Sequence, residues 1–117
     1  MKRILIAFSM AATLVLAGTG PGYAQKEDHT AQAGEHASAA VEHGTLGHAD
    51  VLVQHAEQAL QHAQAAEKEK SNPNTKEAIK HLEEAIKHGK MGHAEVATEH
   101  AEKAVKSLDA SKAAAGG

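Results

Sequence analysis

His81-Leu-Glu-Glu-Ala-Ile-Lys-His88-Gly-Lys-Met-Gly-His93-Ala-Glu-Val-Ala-Thr-Glu-His100 reads as a helix, a glycine turn and a second helix. His81 and His88 stand seven residues apart, as do His93 and His100. The position numbers of His88 and His93 add to 181, and so do those of His81 and His100. A constant sum marks residues that face each other across an antiparallel hairpin. The histidines therefore read as rungs between two paired helices.

Forty-five residues upstream the pattern recurs and runs one rung longer. His29, His36 and His43 form one row, and His48, His55 and His62 form the other. Here the pairs 43/48, 36/55 and 29/62 share the sum 91. His43-Gly-Thr-Leu-Gly-His48 aligns with His88-Gly-Lys-Met-Gly-His93, and His36 with His81. Asn74 and Ser107 replace the outermost pair in the second copy. This is an internal repeat whose unit is helix, turn, helix.

Helices are predicted over ~29–43, ~47–68, ~75–88 and ~92–109, segments rich in Ala, Glu, Gln, Lys and Leu. Gly44 and Gly89 are expected to cap helices in the left-handed conformation. Asn74 is expected to cap the third helix, with Glu77 as its reciprocal partner. Apolar stripes run along Leu52, Ala56, Ala59 and Ala63, along Ile79, Leu82 and Ile86, and along Ala97, Ala101, Ala104 and Leu108. Short connections favour antiparallel neighbours. The expected fold is all-α, an up-down-up-down four-helix bundle built from a duplicated helical hairpin (~29–67 and ~75–110). Its structural alternative is an extended pair of hairpins that closes only on metal. Twelve larger aliphatics are available as core, among them Val41, Leu46, Leu60, Val96 and Val105.

Residues 1–24 carry a basic start, an apolar run and a small-residue exit, the pattern of a secretory signal peptide cleaved after Ala24. The bundle is expected over 25–112, followed by a flexible tail at 113–117. Without the leader 93 residues remain, with ten basic and fifteen acidic side chains and a net charge of −5. That balance disfavours nucleic acid and favours cationic partners. The two aromatic residues of the chain, Phe8 and Tyr23, both fall in the leader. No membrane role is expected once the leader is gone.

A seven-residue step keeps each histidine row on one helix face and advances it by about 10.5 Å. Two imidazoles of one row cannot then share an ion whose metal–nitrogen bonds are about 2.0–2.1 Å. Shared ions must draw ligands from both helices, or from a histidine and a carboxylate. Glu77, His81, Glu84 and His88 share a face of the third helix, and Glu84 is the expected auxiliary ligand. With imidazole donors and no cysteine, the expected ions are Cu(II) first, then Ni(II) and Zn(II). Met91 reads as a turn residue. Di-iron chemistry needs Glu-x-x-His and covalent haem needs Cys-x-x-Cys-His. Both motifs are missing from the sequence, and no enzymatic function is expected. A competing reading is a pH-responsive helical protein, since the chain holds ten histidines and an unperturbed imidazole titrates near pH 6.5.

The chain resembles the small metal-binding proteins of the bacterial periplasm. The resemblance is sharpest in Ala78-Ile-Lys-His-Leu-Glu-Glu-Ala-Ile-Lys-His-Gly-Lys-Met-Gly-His93 and in Val96-Ala-Thr-Glu-His100. His43-Gly-Thr-Leu-Gly-His48 and Ala56-Glu-Gln-Ala-Leu60 carry it as well. It implies a monomeric four-helix bundle that binds several divalent ions, Cu(II) best, in copper sequestration. Delivery of copper to a partner is the alternative. The implied ligands are His29, His36, His43, His48, His55, His62, His81, His88, His93 and His100. The family carries further histidines near its interhelix linker and C-terminus, and this chain has none after His100.

Overall fold

A computed structural model of the chain describes residues 27–116. The expected leader and cleavage site lie outside the described residues. The chain folds into α1 (His29–Thr45), α2 (Ala49–Glu69), α3 (Pro73–Lys90) and α4 (Ala94–Ala115). Each helix packs along its neighbour in sequence, α1 also packs along α4, and α2 touches α4 across the middle. This is an up-down-up-down bundle with its two hairpins packed together. Both glycine turns lie at one end, where Gly47 and Gly92 line a common cleft. α4 runs through Ala115, so the segment expected to be a flexible tail is helical for three of its five residues.

The core is thinner than the aliphatic inventory suggests. Its fully or nearly buried apolar residues are twelve alanines with Leu52, Val53, Leu82 and Leu108. They recur in alternate steps of three and four, the spacing of a heptad seam. We label this seam a and d: for example Ala37, Ala40 and Gly44 on α1, and Ala78, Leu82 and Ala85 on α3. The α3 stripe therefore differs from the expected one. Ile79 and Ile86 stand one residue beyond it and are only partly buried, like Val41, Leu60 and Val105. Each of these five, and Val53, directly follows a d residue and occupies position e. All ten histidines directly precede an a position and occupy g. Leu46 and Val96, counted with the core by composition, are exposed.

An antiparallel neighbour meets its partner in reverse order, so g faces g on one side of the seam and e faces e on the other. Within each hairpin the histidine faces meet. Between hairpins the aliphatic faces meet, as where Val41 and Val105 line one groove between α1 and α4.

The glycines do other work than expected. Gly44 and Gly89 are buried inside helices at a positions. A Cβ on Gly44 would run into Thr98 Oγ1 and lie 2.5 Å from Leu52 Cδ1. One on Gly89 would lie 2.5 Å from Val53 Cγ2. They let helices close up at the turn end. The left-handed residues are Gly47 (φ 78°) and Gly92 (φ 77°), three positions later. In each turn the histidine that begins the next helix donates its N–H back across the turn, His48 to His43 O and His93 to His88 O, both 2.9 Å.

At the other end, α3 is capped by Asn72, whose Oδ1 accepts the Asn74 N–H at 2.8 Å. Asn74 itself lies within the helix. Pro73 decides this, because proline suits the first helical position, where its missing N–H costs nothing. The Glu67 carboxylate accepts from the Ser71 hydroxyl (2.6 Å) and the Asn72 N–H (2.9 Å). These bonds hold its pKa below the usual glutamate value and pin the link between hairpins. Thr75 and Ser111, both buried, share a hydroxyl hydrogen bond of 2.7 Å at this end of the core.

Candidate metal centre

All five sequence-predicted rungs are present as neighbouring rings. Centroids lie 5.6 Å apart for His29/His62, 5.9 Å for His36/His55 and 6.0 Å for His43/His48. In the second hairpin His81/His100 stand at 5.7 Å and His88/His93 at 5.9 Å. The structure adds contacts that the sums do not contain. His36/His62 (5.5 Å), His43/His55 (5.3 Å) and His88/His100 (5.6 Å) stack diagonally, with planes within 8° of parallel. Each hairpin therefore carries one unbroken zigzag of imidazoles, six in the first and four in the second.

The stagger has a simple cause. Side chains on a helix lean toward their own N-terminus. In antiparallel helices the two rows lean in opposite directions, and each ring slides halfway toward the next rung. That turns a step of about 10.5 Å into ring spacings of 5.3–6.0 Å.

The ring nitrogens are not equally satisfied. At the end away from the turns, His29 Nδ1 and His62 Nδ1 lie 3.3 Å apart, and His81 Nδ1 and His100 Nδ1 lie 3.4 Å apart, each pair sharing a hydrogen bond. Nearer the turns, His43 Nδ1, His55 Nδ1 and His88 Nδ1 are buried without a hydrogen-bond partner. An unmade bond of this kind costs about 1–3 kcal/mol. The turn histidines His48 and His93 are exposed and make no side-chain cap bond.

Carboxylates join the histidines at the ladder edges. Glu84 Oε2 lies 3.8 Å from His88 Nε2, and Glu77 Oε1 lies 3.8 Å from His81 Nε2. Glu84, His88 and His100 each bring a ligand atom within 4.8 Å of the others, a three-donor group able to hold a divalent ion. Sequence reasoning singled out Glu84 but not His100 as its companion. It also missed Glu69, whose Oε1 lies 3.8 Å from His29 Nε2. A signal for Glu69 existed: it stands seven residues past His62, on the same helix face. Met91 closes α3 as its C-cap residue and is half exposed.

Burial lowers the pKa of His55, His62 and His100, and neighbouring positive charge lowers it further. For His55 the neighbours are His43 and His36, and for His62 they are His36 and His29. For His100 they are Lys103, His81 and His88. These three imidazoles keep their lone pairs at pH values where a free histidine begins to protonate. An imidazole must be neutral to ligate, so packing the rings together favours the ligating form.

Stacked imidazoles held between helices, with carboxylates at their edges, are a donor set able to hold a metal ion. Among the described residues no helix is long and apolar enough to cross a membrane. The family model described as "Small metal-binding protein" matches residues 2–111. The chain belongs to that family, as its histidine-turn motifs suggested. No curated protein matches it.

Proposed function

We propose that this protein sequesters and buffers divalent transition-metal ions, several per chain, through histidines shared between helices, and that it does so in the periplasm without catalysing a reaction. The observation that carries this reading is the pair of continuous imidazole zigzags. Ten ring systems are placed so that each has a neighbour from the facing helix within 6.0 Å. Cu(II) is the preferred ion, because affinity for nitrogen donors peaks there and the sequence offers no thiolate to favour softer ions. Export rests on the leader pattern of residues 1–24. The acidic balance of the remaining chain suits a cation binder that works as a monomer.

Native mass spectrometry of the protein titrated with Cu(II), with glycine as competitor, tests this. Two or more ions retained at pH 7.5 and none at pH 5 are expected, since protonated imidazole does not ligate. No ion retained at pH 7.5 would leave the proton as the ligand these histidines serve. That outcome would favour a pH-responsive role, for which the lowered pKa values of His55, His62 and His100 already provide a titrating element.

A further inference from the structure

Given that the ladders bind divalent ions, on which this inference rests, their positions need not be equivalent. We infer that the first ion in each hairpin seats on the diagonal nearest the turn, His43 with His55 and His88 with His100, and that Glu84 makes the second of these seats the tighter.

Three observations lead there. First, the diagonal rings approach more closely than the rungs beside them. His43/His55 stand at 5.3 Å against 6.0 Å for His43/His48, and His88/His100 at 5.6 Å against 5.9 Å for His88/His93. Second, the buried ring nitrogens without partners are His43 Nδ1, His55 Nδ1 and His88 Nδ1, all members of these two diagonals. An ion placed there answers unmet lone pairs. At the far rungs, His29/His62 and His81/His100, both Nδ1 atoms are already engaged in a nitrogen–nitrogen hydrogen bond, whereas on the second diagonal only that of His100 is. Third, the rungs at the turns depend on His48 and His93, which are exposed and must surrender side-chain freedom to bind.

The forty-five-residue repeat ranks the two seats. His43 and His55 correspond to His88 and His100, but Glu84 corresponds to Ala39. Among the described residues the three-donor group lies on the second diagonal, where Glu84 stands 3.8 Å from His88 Nε2; on the first, Glu42 acts on His55 electrostatically but completes no such group. Ala39 has the same half-buried placement as Glu84, so a glutamate there has room to reach.

The test is a substoichiometric Cu(II) titration of the full chain against glycine, read by native mass spectrometry, with helical circular dichroism confirming that each variant folds. H81N/H93N removes both rungs of the second hairpin and spares its diagonal. It is expected to lower total capacity while holding the first ion to within about twofold of the wild-type affinity. E84Q is expected to weaken the first ion about tenfold or more. A39E is expected to strengthen the second ion about tenfold, by supplying the missing donor. Loss of the first ion in folded H81N/H93N, or unchanged affinities in E84Q and A39E, would overturn the seating while leaving metal binding intact. A wild-type chain that retains no Cu(II) would overturn the binding reading itself. Should H81N/H93N fail to fold, E84Q and A39E decide the matter alone.

Discussion

Each helix carries two flanks on either side of its buried seam, and they are built from opposite materials. The e flank holds Val41, Val53, Leu60, Ile79, Ile86 and Val105, and the g flank holds the ten histidines. The first flank joins one hairpin to the other, and the second lies between the two helices of a single hairpin. Cohesion between hairpins and the imidazole donors are thereby placed on different surfaces of the same helices. Substitutions on the g flank are therefore expected to disturb the fold less than substitutions in the seam.

The sharpest way to break that division is to strike the seam itself. Leu82 is fully buried at the centre of α3, directly after His81. Leu82→Ala should cost about 2–5 kcal/mol of folding stability, measured by denaturant unfolding of metal-free protein. His81→Asn, one residue away, should cost no more than about 1.5 kcal/mol, the net worth of its one hydrogen bond to His100. Equal losses at both sites would show that the histidine flank also holds the fold.

Next in size is Gly44. A methyl group there meets Thr98 and Leu52 at the close approach of α1 to its neighbours. Gly44→Ala should destabilise by about 1–3 kcal/mol through overpacking. Gly34→Ala, where an added Cβ meets nothing within 4 Å, should instead be neutral or stabilise by up to about 1 kcal/mol. Thermal unfolding of the two variants separates a glycine needed for packing from one that is not.

The smallest expected effect is the dependence of stability on pH, and it belongs to the histidine flank. The pKa values of His55, His62 and His100 are lowered in the folded chain. The unfolded chain therefore binds protons more readily as pH falls through about 6.5, and stability must fall with it. Above that pH these groups are neutral in both states and contribute no slope. H55N/H62N should flatten the decline of the melting temperature between pH 7 and 5. An unchanged slope would mean that burial among neighbouring rings does not set the proton affinity of these two.

Much of this division is legible in the sequence, because a seven-residue histidine step and a constant position sum survive any detail of packing. The repeat, the four helices, the turns and all five rungs follow from them. The diagonals do not, since a sum of positions compares backbone heights while ring contacts depend on where side chains lean. Gly44 and Gly89 carry the same one-letter signal as a helix terminus, and only the nearness of Thr98 and Val53 reveals them as contact points. Asn72 and Asn74 are both plausible caps by residue type, and the proline between them decides in favour of the first. Ile79 and Ile86 equal Leu82 in bulk, which draws attention from Ala78 and Ala85, the residues that share the interior with Leu82. Glu84 stands out on helix spacing, whereas its partner His100 lies on another helix at a different level and is found only in three dimensions.

The alanine interior has one more consequence. Helix axes pack roughly 8–10 Å apart according to the bulk between them, and a seam of methyl groups sets the lower end of that range. The two rows of rings are like rails laid on sleepers, and the sleepers here are short. Leucines at those twelve alanine sites would bury more apolar area and also widen the gauge. Rings that now stand 5.3–6.0 Å apart would be carried further from one another. What looks like an economical core is the dimension to which the track is laid.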